Sequence, residues 1–262
     1  PKSSISESFR SVRTNLQFLS KGKEKQTVLI TSDMVSAGKT FISINLSTIF
    51  AIYGKKTLLM GFDLRKPKIY QDFGLSNTVG ITSYMINKNS IDEIIQRSPV
   101  DNLDVIMAGP VPPNPSELIA SKKTEELFTE LKKRYDYIII DTPPVGLVTD
   151  AFLLMKYADN NLFVVRQGYT NKKVFGSIIK DMENMNLRNI SILINDVKLG
   201  KFSYGYGYGY GYGYGYGYGY GSDEAFTTSA GDDTYPVSRI RVPSLSRNAV
   251  VGRLSLIPVH PL

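Results

Sequence analysis

The sequence contains no cysteine and a single histidine, His260. Without cysteine the chain forms no disulfides and no thiolate metal sites, which fits a reducing compartment. One histidine near the chain end also argues against a Ser-His-Asp triad and against a histidine-based zinc site. No apolar run approaches the roughly 18 to 20 residues that span a bilayer, and no positively charged, apolar N-terminal signal is present.

The 262 residues are enough for one well-buried core, so a single large α/β domain is the default expectation. The chain begins with Pro1 rather than Met, which leaves open that it is cut from a longer polypeptide with membrane segments. The net charge of +7 is compatible with binding phosphates, nucleic acid or an anionic membrane, but a solvated basic surface would give the same value.

The segment from Val28 to Thr40, VLITSDMVSAGKT, has the features of a phosphate-binding loop between a strand and a helix. The helix N-terminus near Gly38 offers unpaired N–H groups and the positive end of the helix dipole to phosphate oxygens. Lys39 is expected to reach the β- and γ-phosphates, and the Thr40 hydroxyl to bind Mg²⁺. The first glycine of the usual pattern is replaced by Asp33, and a glycine that merely permits a tight turn is the alternative. The predicted ATP-binding residues here are Ser36, Ala37, Gly38, Lys39, Thr40 and Phe41.

Two acids follow buried strands and are candidates for the metal site. Asp63 comes after the strand at 57–60, and Asp141 ends the strand YIIID at 137–141. Because open α/β sheets bind ligands at the carboxyl ends of their strands, both acids are expected near the nucleotide. A turn-forming Asp and a capped strand end are the alternatives. Asn195, which ends the strand at 190–194, is predicted either to read the base or to form a turn.

The remaining periodicity predicts a parallel sheet flanked by helices, the P-loop NTPase type of α/β fold. Further strands are expected at 103–107 and 161–165. Helices are expected at 117–121, 124–134, 151–157 and 172–186, with short helices and loops over 68–102. An N-terminal amphipathic helix carries an apolar stripe. The members of this stripe are Ile5, Phe9, Val12, Leu16 and Leu19.

From Lys201 the composition changes, and residues 204–221 strictly alternate tyrosine and glycine. Glycine at every second position opposes helix and makes a unique packed fold entropically costly. We therefore expect a folded domain over residues 1–200 and a flexible tail over 201–262, with little structure in residues 222–262. The repeat could have expanded by replication slippage, which could also have shifted the reading frame beyond it.

Taken together, the GKT loop, the acids after two strands, YIIIDTPP and the tyrosine-rich tail resemble the bacterial tyrosine kinases, the cytoplasmic modules that regulate capsular and exopolysaccharide export. The resemblance covers roughly residues 6–220. It implies an ATP- and Mg²⁺-dependent enzyme with Lys39, Asp63, Arg65 and Asp141 as catalytic residues and Thr40, Asp63 and Asp141 at the metal. The implied phosphoacceptors are Tyr204, Tyr206, Tyr208, Tyr210, Tyr212, Tyr214, Tyr216, Tyr218 and Tyr220.

The resemblance also implies partners. Glu7, Arg10 and Arg13 match the family's E-x-x-R-x-x-R motif, which implies a ring-like homo-oligomer that places one subunit's tail in its neighbour's active site. An ordinary intrahelical pair between Glu7 and Arg10 is the alternative. The family further implies a membrane-embedded polysaccharide co-polymerase as activator, in some cases fused in the full-length protein, and a location at the cytoplasmic face of the bacterial inner membrane. We expect no nucleic-acid partner.

Two departures from the family pattern keep other functions open. Gly61 replaces the first acid of the usual D-x-D, so the group thought to help activate the acceptor hydroxyl is absent, and Val35 replaces the usual proline. A catalytically weak, ATP-binding ring component is therefore one alternative. A regulatory ATPase of the partitioning or division-site-selection kind is another, although Met34 stands where those proteins carry an extra lysine.

Overall fold

The computed structural model describes residues 4–19, 23–187, 189–197 and 255–258 of the chain. The strands that it contains form one sheet. They are β1 (Gln26–Ser32), β2 (Thr57–Gly61), β3 (Ile95–Arg97), β4 (Leu103–Ile106), β5 (Tyr137–Asp141), β6 (Asn160–Arg166), β7 (Ile190–Asn195) and β8 (Ser255–Pro258).

The helices precede, follow and connect these strands. They are α1 (Ser4–Leu19), α2 (Lys39–Ile52), α3 (Ile69–Phe73), α4 (Ile81–Met85), α5 (Ile91–Ile94), α6 (Pro115–Ala120), α7 (Lys122–Arg134), α8 (Asp150–Met155) and α9 (Lys172–Asn184). No helix within the described part of the chain is both long and apolar enough to cross a membrane.

The strand order is β3-β4-β2-β5-β1-β6-β7-β8, with β1 near the middle of the sheet. The six strands from β4 to β7 in this order run parallel, and the two edge strands β3 and β8 run antiparallel to their neighbours. The carboxyl ends of β1, β2 and β5 therefore lie side by side at one edge of the sheet. This arrangement brings the phosphate-loop candidate and both candidate acids to the same edge, as predicted.

Two apolar layers cover the two faces of the sheet. In β5, Ile138 and Ile140 belong to one layer, while Tyr137 and Ile139 belong to the other. This alternation follows from the two-residue period of a strand, and both faces are apolar because helices pack on each side. Helices α6 to α9 contribute to the first layer, and α1 and α2 contribute to the second.

Helix α1 packs its apolar stripe onto the second layer. Phe9, Val12 and Leu16 are fully buried, and the Phe9 ring lies 5.9 Å from the ring of Phe41 in α2. Helix α1 is therefore part of the core, in agreement with the predicted amphipathic helix. On its neighbouring face, the Arg13 guanidinium lies 4.0 Å from the centre of the Tyr53 ring.

Three features differ from the sequence-based expectations. Within residues 68–102, where we expected short helices and loops, residues 95–97 form the antiparallel strand β3 directly after the helix that ends at Ile94. Strand β1 begins at Gln26, two residues before the apolar segment that starts at Val28, and Gln26 is buried. Residues 255–258 form β8 against β7, whereas we expected little structure in residues 222–262. Backbone pairing with an open sheet edge needs no apolar periodicity, which explains why the sequence did not indicate this strand.

Candidate nucleotide site

The loop between β1 and α2 is built around Gly38. Gly38 has φ of 100°, in the left-handed region that favours glycine, and a Cβ there would overlap the side-chain nitrogen of Asn195. The Asn195 Nδ2 donates a hydrogen bond of 2.9 Å to the carbonyl oxygen of Ala37. Asn195 at the end of β7 therefore braces the loop from the side. Glycine is required at 38 both by the backbone conformation and by this close approach.

Lys39 is buried at the start of α2 with its ammonium turned back towards β1. Its Nζ donates to the Ser32 hydroxyl at 2.9 Å and to the Met34 carbonyl at 3.4 Å. Burial lowers the pKa of Lys39, and the nearby carboxylates, Asp141 foremost, oppose that effect. The side chain is thus held at the loop with donor capacity left for a phosphate oxygen, because an ammonium has three donors.

Asp141 is the acceptor for two hydroxyls of α2. Thr40 Oγ1 donates to Asp141 Oδ2 at 2.8 Å, and Ser43 Oγ donates to Asp141 Oδ1 at 3.0 Å. Burial raises the pKa of Asp141 to about 6, and the bond from Thr40 and the charge of Lys39 oppose that rise. Among the described residues, the side-chain donors to this carboxylate are two neutral hydroxyls, and a nearby cation would favour its charged form.

Asp63 lies two residues after β2, in a turn that its own side chain stabilises. Its Oδ1 accepts hydrogen bonds from the backbone nitrogens of Arg65 at 3.2 Å and Lys66 at 2.9 Å. Its charge acts on both Lys39 and Asp141, which places Asp63 in the same electrostatic neighbourhood. The structure thus brings together Lys39, Thr40, Asp63 and Asp141.

Arg65 points into a polar network away from the loop. Its Nε donates to Asp150 Oδ2 at 2.8 Å, and its Nη2 donates to Asp150 Oδ1 at 3.2 Å and to the Ser116 hydroxyl at 2.9 Å. Ser116 also donates to Asp150 Oδ1 at 2.7 Å. Asp150 is fully buried, and its bond to Arg65 raises the pKa of the guanidinium further. Arg65 therefore ties the end of β2 to the starts of α6 and α8.

The donor set fits Mg²⁺ that is shared with a nucleotide. The part of the chain that the structure describes holds no group of three or more His, Cys, Asp or Glu side chains suited to a metal ion. Mg²⁺ commonly binds through one or two carboxylates, completing its six ligands with water and substrate phosphates. Asp63, Asp141 and the Thr40 hydroxyl supply this type of partial set and no complete protein cage.

The other predicted nucleotide residues have defined places. Ser36 adopts a positive φ of 63°, and its carbonyl accepts a hydrogen bond of 2.9 Å from Arg166 Nη1. Ala37 is a buried residue of the loop, and Phe41 packs on Phe9. The role of Asn195 in reading the base stays a prediction, since its amide contacts the loop. The nine tyrosines from Tyr204 to Tyr220 lie outside the described residues.

Sequence reasoning missed four polar residues of this region. Ser43 follows Thr40 by three residues, so helical spacing could have placed both hydroxyls on one face. Arg166 ends a parallel strand, which is the same signal that selected the two acids. Ser32 precedes Asp33, where the first glycine of the pattern is expected, and it carries no motif of its own. Asp150 begins a short helix without a motif.

Comparison with known proteins identifies the family. Residues 26–194 match the model of a family described as an AAA domain. The chain is 41% identical over 206 residues to the tyrosine-protein kinase YwqD of Bacillus subtilis (strain 168), an alignment that covers 78% of this chain and 87% of that protein. The chain belongs to the bacterial tyrosine kinases. It is also 34% identical over 200 residues to the tyrosine-protein kinase CpsD of Streptococcus agalactiae serotype III, covering 76% of this chain and 85% of that one.

Solved structures agree with this membership of the bacterial tyrosine kinases. The kinase domain of the Escherichia coli tyrosine kinase ETK superposes with a TM-score of 0.70 at 32% identity, covering 77% of this chain and 80% of that domain. The chimerical protein CapA2B2 gives a TM-score of 0.69 at 38% identity, covering 74% and 86%. The septum site-determining protein MinD from Pyrococcus horikoshii, complexed with Mg-ADP, gives 0.55 at 20% identity, covering 64% and 69%, and shares the fold. The predicted P-loop NTPase-like α/β fold is thereby confirmed.

Proposed function

We propose that this chain is an ATP-dependent protein tyrosine kinase that phosphorylates the tyrosine cluster of a neighbouring copy. The observation that carries the proposal is the cluster of Lys39, Thr40 and Asp141 at the carboxyl edge of the sheet. The ammonium turns towards the loop, and two hydroxyls hold the carboxylate in place. The membership of the family and the 41% identity to a named tyrosine-protein kinase support the same activity.

Each residue at the edge would have a separate task. Lys39 binds the β- and γ-phosphates, while Thr40, Asp141 and Asp63 hold Mg²⁺, which neutralises charge on the transferred phosphoryl group when it is bound. The loop from Ser36 to Phe41 supplies backbone N–H groups to the phosphates. Arg65 orients the segment that carries Asp63. Because phosphoryl transfer depends mainly on positioning and charge stabilisation, this set can work with one carboxylate fewer than the family pattern.

The tyrosine-glycine repeat suits the role of acceptor. Tyrosines separated by single glycines can enter a cleft one at a time without first unfolding any structure. Full modification of the nine tyrosines would add roughly −14 to −18 charges at about −1.5 to −2 per site. That change would reverse the net charge of +7. We infer that such charging releases tails from active sites and loosens the oligomer.

The finer biological assignments rest on the family. We propose that the chain assembles through Glu7, Arg10 and Arg13 into a ring-like homo-oligomer. In the structure Glu7 and Arg10 are exposed on α1 and pair within the helix at 2.7 Å. A membrane-embedded polysaccharide co-polymerase is the proposed activator, and capsular or exopolysaccharide export at the cytoplasmic face of the bacterial inner membrane is the proposed process. The name CpsD of one relative is in keeping with this assignment.

Gly61 favours one competing function, a ring component that binds ATP and transfers nothing. Gly61 ends β2 where the family pattern has its first acid. The regulatory ATPase alternative has weaker support. The MinD structure is only 20% identical, and Met34 occupies the position at which the regulatory ATPases carry an extra lysine.

The deciding experiment is incubation with ATP and Mg²⁺ followed by mass spectrometry of the tail. We expect phosphate on several of the nine tyrosines and none in the Lys39→Met variant. Bare tyrosines together with ATP hydrolysis would favour the regulatory ATPase, and ATP binding without either reaction would favour the inactive ring component.

A mixing experiment tests transfer between copies. A tagged Lys39→Met chain with intact tyrosines is incubated with a Lys39 chain whose nine tyrosines are phenylalanine. Phosphate on the tagged chain supports transfer in trans. Its absence, in a preparation where the unaltered chain modifies itself, would limit the reaction to one copy.

A further inference from the structure

A cavity of about 200 Å³ opens at the amino edge of the sheet, opposite the nucleotide loop. It is lined where β1, β5 and β6 begin, and its walls include Lys25, Gln26, Lys132, Tyr135 and Asp159. Strand β1 starts at this cavity and ends beside Lys39, so its seven residues separate the two regions by about 20 Å. The cavity is thus distinct from the candidate nucleotide site.

The charge in this cavity is positive and partly uncompensated. Lys23 pairs with Asp159 at 2.9 Å, and the other Asp159 oxygen accepts from the backbone nitrogen of Thr27 at 2.9 Å. Among the residues that the structure describes, Lys25 and Lys132 each donate only to a backbone carbonyl, of Lys133 at 2.8 Å and of Tyr157 at 2.7 Å. These two ammonium groups therefore keep their full charge and two free donors each.

A buried amide lines the same cavity. Gln26 is 2% exposed, and its Oε1 accepts a hydrogen bond of 3.0 Å from Asn160 Nδ2. Its Nε2 has no hydrogen-bond partner among the described residues. Leaving a buried donor unsatisfied costs free energy, so this nitrogen is a ready donor for an acceptor placed in the cavity.

We propose that this cavity is a binding site for a phosphate monoester. Two uncompensated ammonium groups match a dianion better than a single carboxylate, because a phosphate monoester carries about −1.5 to −2 charges near pH 7. Lysine ammonium groups bind phosphate as point charges, and the Gln26 amide adds a directed donor.

The apolar residues that line the cavity favour an aryl phosphate ester as the ligand. Tyr135 and Ile138 form the apolar side of the cavity. The Tyr135 hydroxyl is already used in a bond of 2.8 Å to Asp104, so Tyr135 contributes ring carbons and no free donor to the cavity wall. The volume is several times the roughly 30 Å³ that a water occupies in the liquid, which leaves room for a ring beside the phosphate. A phosphotyrosine side chain has this chemistry. The assignment of phosphotyrosine as the ligand rests on the proposed function, because phosphotyrosine is the product of that reaction.

Calorimetric titration of the full chain with phenyl phosphate at low ionic strength tests the site. Because the loop at Lys39 also binds phosphates, the titration is run in parallel with Lys39→Met, and binding should persist there. We expect the double variant Lys25→Gln with Lys132→Gln to weaken that binding by about tenfold or more. Lys88→Gln, which removes one positive charge from an exposed position outside the cavity, should leave it unchanged and is compared with each single variant, Lys25→Gln and Lys132→Gln.

A second variant tests whether the double variant loses binding merely because it fails to fold. Gln26→Glu keeps the acceptor for Asn160 and replaces the free donor with an anionic oxygen, so it should abolish phenyl phosphate binding above pH 7 while the thermal melt stays cooperative. Binding that is lost in Lys39→Met but unchanged in the cavity variants would overturn the site. Absence of phosphate binding in the Lys39→Met chain would do the same.

Three probes distinguish an aryl phosphate ester from inorganic phosphate as the preferred ligand. Inorganic phosphate, phenyl phosphate and a Gly-phosphotyrosine-Gly peptide are titrated into the Lys39→Met chain. Tighter binding of the two aryl esters supports a phosphotyrosine site, whereas equal affinity for inorganic phosphate would overturn the aryl assignment. None of these titrations requires kinase activity, so the site can fail while the proposed function stands, and the reverse also holds.

Discussion

Gly61 ends β2 at a buried position that has room for a Cβ atom. A Cβ at this position would lie 3.4 Å from the Ile69 side chain and 3.7 Å from the backbone of Ala108 and Ile106, which are ordinary contact distances. Its φ is not in the left-handed region. The backbone therefore does not require glycine, and the missing carboxylate is a chemical departure without a steric cause.

We predict that Gly61→Asp raises the rate of tyrosine phosphorylation by roughly 10- to 100-fold, the range of a positioned general base acting on a hydroxyl with a pKa near 10. The rate is measured as phosphate incorporated into the tail at saturating ATP. Gly61→Asn, of the same size and without charge, is the control and should give no increase. Equal rates for the parent and Gly61→Asp would show that the remaining residues suffice.

Asp72 in α3 provides a pH-dependent contribution to stability. Burial raises its pKa from 3.8 to about 6, and the charge of Lys68 only partly opposes the rise. The folded chain therefore binds this proton more tightly than the unfolded chain does. Its contribution is most favourable below about pH 4 and is lost as the pH rises through 6.

The variant Asp72→Asn should remove this loss of stability at higher pH. We expect it to raise the free energy of unfolding by about 1 kcal/mol at pH 8, after discounting for partial exposure, and to change it little at pH 4. Urea denaturation at pH 4, 5, 6 and 8 measures the difference. A constant difference between variant and parent across this range would contradict the assignment to Asp72.

At the scale of elements, the Arg65–Asp150–Ser116 network joins three segments that end or begin at the carboxyl edge. The proline-rich stretch before α6 brings Ser116 to the site, and α8 brings the buried carboxylate. The network therefore positions the turn that carries Asp63. Arg65 acts in it through a fork of two bonds to one carboxylate, a geometry that lysine cannot reproduce.

We predict that Asp150→Asn lowers the free energy of unfolding by about 1–3 kcal/mol and slows tail phosphorylation, because it leaves Arg65 without its anionic partner. Arg65→Lys should slow the reaction to a similar extent. Asp92→Asn removes one of the two acidic partners of Arg134 at an exposed site, leaving Glu130, and serves as the control for loss of a surface ion pair. Full activity in Asp150→Asn, measured by tail phosphorylation, would exclude a positioning role.

Element boundaries could be predicted from the sequence where the pattern was strong. The strand 137–141 and the helix that ends in basic residues at Arg134 agree with the structure. The buried strands are mainly apolar runs and the helices have clear periods, so local patterns suffice. The edge strands β3 and β8 are short and owe their conformation to pairing, which the local sequence does not encode.

The main residues of the candidate site could be predicted from the sequence about as well as the element boundaries. Lys39, Thr40, Asp63 and Asp141 follow from strand ends and one loop motif, and parallel pairing brings them together. The contacts that hold them do not follow from such rules. Asn195 reaches Ala37 and Arg166 reaches Ser36 only because β6 lies next to β1 and β7 lies next to β6 in the sheet order.

At the scale of the whole molecule, self-association and phosphorylation are coupled in the proposed function. We predict that ATP and Mg²⁺ reduce the oligomer's mass, measured by light scattering, because phosphorylated tails repel one another. The Lys39→Met chain should keep its size. Heavy modification without a change in mass would discard the coupling.

Two arginines of α1 should differ in their effect on assembly. Arg10 makes an exposed pair, so Arg10→Ala should reduce assembly while changing the stability of the monomer by less than about 0.5 kcal/mol. Arg13 also lies over the Tyr53 ring, so Arg13→Ala should lower stability by about 0.5–2 kcal/mol as well. Light scattering and urea denaturation separate the two quantities, and unchanged assembly in both variants would exclude this face of α1.

The antiparallel pairing of β8 with β7 has a topological consequence. Ile194 faces Ser255 across the ladder, so the chain leaves and re-enters the sheet at the same edge, beside the loop that Asn195 braces. The part of the sequence that contains the nine tyrosines therefore connects two neighbouring strands of the sheet. A single protease cut among these tyrosines would leave two fragments that co-elute until a denaturant separates the strands.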